Sequence, residues 1–83
     1  MITLPGTYAS LKRIALGDQA CKLQWAASAA YPKVQRAVVD SATARAVVGV
    51  HKGASASDRP EIERLLTEGP HRVITIAAMI SVV

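Results

Sequence analysis

Few side chains in this sequence can do chemistry, and their spacing decides how they are read. The histidines are His51 and His71, each beside a basic neighbour, Lys52 or Arg72. An imidazole serves as a general base or a metal ligand when a second group orients it or shares the metal. No second ligand stands at metal spacing from either histidine, so both are expected at the surface ends of strands. The one cysteine, Cys21, alternates with Leu23 and Trp25, which is the pattern of a small buried hydrophobe. A nucleophilic thiol would need a histidine and a polar cleft beside it. Asp58, Glu61, Glu63 and Glu68 cluster in one short stretch, where helix capping and solubility account for them. Asp18 and Asp40 stand apart in turn-like contexts. The five glycines are scattered, and none belongs to a GxGxxG or GxxxxGK[ST] phosphate cradle. No catalytic, cofactor-binding or metal-binding residue is therefore assigned. No cofactor and no small-molecule substrate is implied, and the chain is expected not to be an enzyme.

The elements that would carry these residues give an α+β, β-rich expectation for a single domain, 1–83. The clearest signal is "SDRPEIERLLTEGP". Asp58 is placed to cap a helix with Glu61 three residues on. Pro60 is tolerated in the first turn, Ile62, Leu65 and Leu66 share a face, and Gly69-Pro70 end the element. A short helix over 59–68 follows. The segment "KVQRAVVDSATARAVVGVHKG" contains an echo, "RAVVD" then "RAVVG", around the turn-like "DSATA". Two Val-rich arms of this kind predict a hairpin within 34–51. The last stretch, "HRVITIAAMISVV", carries no charge from Val73 onward. Its β-branched residues and two-faced alternation predict a strand over 72–83, completing a small antiparallel sheet. Residues 8–30 support two readings. Cys21, Leu23, Trp25 and Ala27 alternate as a strand does, with "GD" at 17–18 as a hairpin turn. Tyr8, Leu11, Ile14 and Ala15 are at helical spacing, with Gly17 as a stop and Asp18 as a new cap, which would give two short helices.

Size and charge narrow the functional classes. A chain of 83 residues buries a modest core, and small domains usually add disulfides, metals or partners. One cysteine excludes an internal disulfide. The apolar anchors among the aromatics are Tyr8, Trp25 and Tyr31, since there is no Phe. The net charge is +4 and uneven. Residues 1–57 hold seven Lys and Arg against two Asp, and 58–69 hold two Arg against four acids. Lys12, Arg13, Lys33, Arg36, Arg45 and Lys52 form a candidate basic face for phosphate or an acidic partner. The uncharged tail is too short to span a membrane: eleven helical residues cover about 16 Å of a roughly 30 Å hydrocarbon core. No secretion signal is apparent, so a cytoplasmic location is expected, or a virion-associated one for a phage protein.

These observations predict a non-enzymatic structural or assembly protein that self-associates or docks on a larger assembly, a phage capsid, tail or shell component being a concrete example. A homo-oligomer or a protein assembly is the expected partner. The unprotected tail strand supplies the candidate assembly residues Ile74, Ile76, Met79, Ile80 and Val82. A basic regulator that binds nucleic acid is one alternative, and a small host-directed protein inhibitor is another.

Overall fold

The computed structural model describes residues 2–17, 19–29 and 32–79. Seven elements follow one another: β1 (Thr3–Pro5), α1 (Tyr8–Leu16), β2 (Cys21–Trp25), β3 (Gln35–Val39), α2 (Ser41–Gly53), α3 (Arg59–Leu66) and α4 (Pro70–Met79). The sheet order is β1-β2-β3. β1 runs parallel to β2, with Leu4 opposite Leu23, and β2 runs antiparallel to β3, with Leu23 opposite Ala37. A parallel pair needs a crossover, and α1 supplies it. About 53% of the described residues are helical and 17% are strand. The fold is therefore α+β, but it is not β-rich, and its sheet is mixed where an antiparallel one was expected.

Strand alternation sets the two faces of the sheet. Leu4, Leu23, Trp25 and Val39 turn inward to a core completed by Leu11 and Ile14 of α1, Ala44 and Val47 of α2, Leu66 of α3, and Val73 and Ile76 of α4. Thr3, Gln24, Arg36 and Val38 lie on the outer face, and all four are exposed. The helices thus cover one side of the sheet and leave the other open.

Residues 8–30 contain one element of each expected kind, neither two strands nor two helices. Thr7 caps α1, its hydroxyl accepting from the Ser10 N–H at 3.4 Å, and the i, i+3 pair Leu11 and Ile14 is buried. The period-two alternation at 21–25 then forms β2. Leu4 and Pro5 lie in β1, and the Gly6 N–H donates to the Gln24 carbonyl at 2.9 Å. Asp18, on which both readings of this region drew, lies outside the described residues.

The hairpin expected within 34–51 is half correct as to strand and wrong as a whole. Its first arm is β3 and its second is α2. Asp40 makes the switch. Its backbone is extended, and its carboxylate accepts from the Thr43 N–H at 2.7 Å while its carbonyl accepts from the Ala44 N–H. That is an N-cap. The same bond holds the Asp40 carboxyl below its ordinary range.

The predicted tail strand is also corrected. Residues 70–79 form α4, and 80–83 lie outside the described residues. Val73, Ile76 and Ala77 pack inward at i, i+3, i+4, a helical spacing that coexists with the two-faced alternation. Helix propensity disfavours Val, Ile and Thr by a few tenths of a kcal/mol each. Burying a Val or Ile gains about 1.5–3 kcal/mol, so the packing outweighs the propensity. Pro70 begins this helix as well as ending the one before. Gly69 between them takes φ +157°, which side chains with a Cβ rarely adopt.

The helix expected over 59–68 is present as Arg59–Leu66, although its capping box does not form. Asp58 makes no side-chain cap bond, and Glu61 pairs with Arg64. Arg59 instead reaches back to the last turn of α2, donating to the carbonyls of His51 at 3.2 Å and Lys52 at 3.1 Å.

Trp25 joins the halves of the chain. Its Nε1–H donates to the buried Leu66 carbonyl at 2.8 Å, and a Cβ on Gly6 would overlap its indole ring. Trp25→Phe should leave the Leu66 carbonyl without its donor and cost about 1–3 kcal/mol. Gly6→Ala should cost a similar amount, about 1–3 kcal/mol, by overpacking. Denaturant unfolding checks both; a change below about 0.5 kcal/mol in either would show that the contact is dispensable.

Candidate interaction surface

Among the described residues, six large hydrophobic side chains are exposed. Val34 precedes β3, Val38 lies in it at 58% exposure, and Ile74 and Met79 of α4 are 67% and 56% exposed. Ile2 and Leu16 are the others. Between β3 and α4 runs a groove of about 140 Å³, lined by Ala37, Val38, Val39, Val73 and Ile74 together with Pro70, Asp40 and Thr43. This volume is well below the roughly 300–1,000 Å³ of small-molecule sites.

The residues of the candidate assembly strand therefore separate. Ile74 and Met79 are exposed, and Ile76 is 3% exposed within the core, because a helix turns successive positions through about 100° where a strand alternates them. Ile80 and Val82 fall outside the described residues. Of the aromatic anchors, Trp25 is core and Tyr8 is half-buried among the helices, while Tyr31 is outside the described residues.

The candidate basic residues lie on several elements. Lys12 and Arg13 are exposed on α1, Arg45 and Lys52 are exposed on α2, Arg36 is on the outer sheet face, and Lys33 is in the connection before β3. The Arg45 Nε–H donates to the Ala15 carbonyl at 3.2 Å, and Arg36 donates to the Gln24 side chain at 2.9 Å.

A second cluster escaped the sequence reading. His51 is in the last turn of α2, not at a strand end. Its ring stacks on Tyr8 with centroids 4.0 Å apart, and its Nε2 lies 3.0 Å from the Glu63 carboxylate. Lys12 stands over the other part of the assembly, 5.9 Å from the Tyr8 centroid. The cluster joins α1, α2 and α3. The i, i+12 separation of His51 and Glu63 carries no local signal; Glu63 stands three residues before Leu66 and so on the same side of α3. Cys21, the one thiol, contacts the Gln19 carbonyl at 3.9 Å on β2 and is not among these groups. The arrangement orients an imidazole and ties helices together.

A wider groove of about 560 Å³ runs past Thr3, Gly6, Thr7, Gln24, Trp25 and Thr67. Its lining contains no titratable side chain, so it offers hydrogen bonds without an acid, base or thiol. No group of three or more metal-ligating side chains occurs among the described residues, and none of their helices is long and apolar enough to cross a membrane.

Comparison of the chain with protein-family models, with curated proteins and with solved structures finds no match.

Burial raises the Tyr8 phenol above its ordinary 10.0, the Glu63 charge adds to this, and Arg59 opposes it. The folded chain therefore holds this proton to higher pH than the unfolded chain does. The resulting stability is present below pH 10.0 and is lost as pH rises through the raised value. Tyr8→Phe keeps the stack and removes the ionisation. Its unfolding midpoint should fall less steeply above about pH 10 than that of the parent; parallel curves would assign the alkaline loss to other groups.

Proposed function

We propose that the chain is a non-enzymatic assembly protein, made to pack against other protein subunits through its β3–α4 side. The observation that carries this reading is the exposure of Val38 and Ile74, which line a small, largely apolar groove between β3 and α4, with Met79 at the end of α4 also exposed. Exposed apolar side chains are ordinary when single, and gathered ones mark contact sites. A small core without disulfides leaves stability to be gained from association. A component of a larger particle, such as a phage capsid, tail or shell, would use a surface of this kind. The one histidine cluster supports the same reading, since its groups serve helix packing and stand apart from the thiol. A nucleic-acid partner has weaker support, because the cations are dispersed over α1, α2 and the outer sheet face.

Light scattering on the purified protein tests the proposal. Association is expected at about 100 μM or below, a range that corresponds to a modest interface. The double variant Ile74→Ser, Met79→Ser should shift the mass toward monomer with its circular dichroism unchanged, since both side chains are exposed. A parent protein that stays monomeric at that concentration overturns the reading.

A further inference from the structure

We infer that the free edge of β3 pairs antiparallel with the β3 edge of a second copy, about a twofold axis at Val38. This rests on the assembly reading and specifies its partner and register.

The two edges of the sheet differ. β1 is three residues long and ends in Pro5, which has no N–H for a further strand. β3 has five residues and no proline, and its one charged residue is Arg36, so its backbone edge is open to a strand that can meet that charge. The backbone groups of β3 can be assigned by parity. The Lys22 N–H donates to the Ile2 carbonyl, and the Gln24 carbonyl accepts from the Gly6 N–H. The even positions of β2 therefore face β1, and Cys21, Leu23 and Trp25 face β3. Their partners are Val39, Ala37 and Gln35. Alternation then turns the N–H and C=O of Arg36 and Val38 to the outer edge, where no strand lies among the described residues.

Charge selects the copy and the register. In a twofold pair with helices of both copies on the same side, the facing positions have an even sum. An axis at Arg36 sets two arginines opposite each other. An axis at Ala37 sets Arg36 opposite Val38. An axis at Val38 sets Val38 against itself and each Arg36 against the second copy's Asp40, forming two opposite-charge pairs by symmetry. Asp40 continues the extended backbone, with φ −85° and ψ 168°, so it can occupy that position. Its carboxylate already accepts from Thr43 and has lone pairs for a second donor, and the guanidinium has donors beyond its bond to Gln24. Pairing here also covers Val38, 58% exposed, and the mouth of the groove beside Ile74. The result is a six-stranded sheet continuous across two copies.

Cross-linking and mass measurement test the register. In a Cys21→Ala background, Val38→Cys should oxidise to a covalent dimer, since facing Cα atoms of a hydrogen-bonded pair lie about 5.5 Å apart, within disulfide reach. Arg36→Asp should raise the dimer dissociation constant at least about tenfold by facing acids with acids. Asp40→Asn, which keeps a capping side chain, should raise it by a smaller factor with unchanged circular dichroism. Absence of the 38–38 cross-link together with indifference to Arg36→Asp overturns the inference. If the protein is still oligomeric in that case, assembly uses another surface and the functional proposal stands; a monomeric parent overturns both.

Discussion

The buried bond from the Trp25 indole to the Leu66 carbonyl connects parts of the chain that otherwise share no backbone pairing. Trp25 closes β2, the central strand, which pairs with β1 on one side and β3 on the other. Leu66 closes α3, just before the bend that launches α4. The indole leans on Gly6 at the start of the α1 crossover. One side chain thus fixes where the sheet, the crossover and the last two helices meet. An indole is suited to this, since it combines a large apolar body with one N–H that must find an acceptor when buried. In a core otherwise made of Leu, Ile, Val and Ala, it adds a directional contact to the packing.

Around that point the chain places two copies of one tetrapeptide in different structures. Arg36-Ala37-Val38-Val39 is β3, and Arg45-Ala46-Val47-Val48 is in α2. In the strand, Ala37 and Val39 turn inward while Arg36 and Val38 turn out. In the helix, Ala44 and Val47 are buried and Arg45 is exposed. Intrinsic preferences differ too little to choose between these outcomes. The first copy lies opposite β2, and the second follows the Asp40 cap and packs against α1 and α4. The cap was present in the sequence as the "DSAT" that reads equally well as a turn, since Asp and Ser favour both.

The surface follows from this arrangement. A helical layer covers one face of a three-stranded sheet, and Glu61 and Arg64 of α3, Glu68 after it and Arg72 of α4 form a chain of ion pairs at the surface. Such pairs add little stability, but they keep that helix soluble. β3 and α4 carry part of the apolar exposure, at Val38, Ile74 and Met79. Because α4 is a helix, the terminal apolar run divides into a buried stripe, Val73 and Ile76, and an exposed one with Ile74 and Met79. The hydrophobicity that suggested an enclosed strand is thereby shared between the chain's own core and its exposed surface.

By itself the sequence determined the features that depend on neighbours along the chain. These are a helix within 59–68 ahead of Gly69-Pro70, and in residues 8–30 the helical spacing at Tyr8, Leu11 and Ile14 and the strand alternation from Cys21, which stood as rival readings and each hold for one part. Each rests on caps, turn residues or a periodicity visible within a dozen positions. Only the tertiary structure decided the parallel pairing of β1, the helical state of residues 41–53 and 70–79, and the meeting of His51 with Tyr8 and Glu63. β1 is three residues long and has no signal until β2 lies beside it. The two helices are Val- and Ile-rich segments whose local preference is small beside the free energy of burial. His51 and its partners come from three helices, and no spacing along the chain records which helix ends come together in a packed layer.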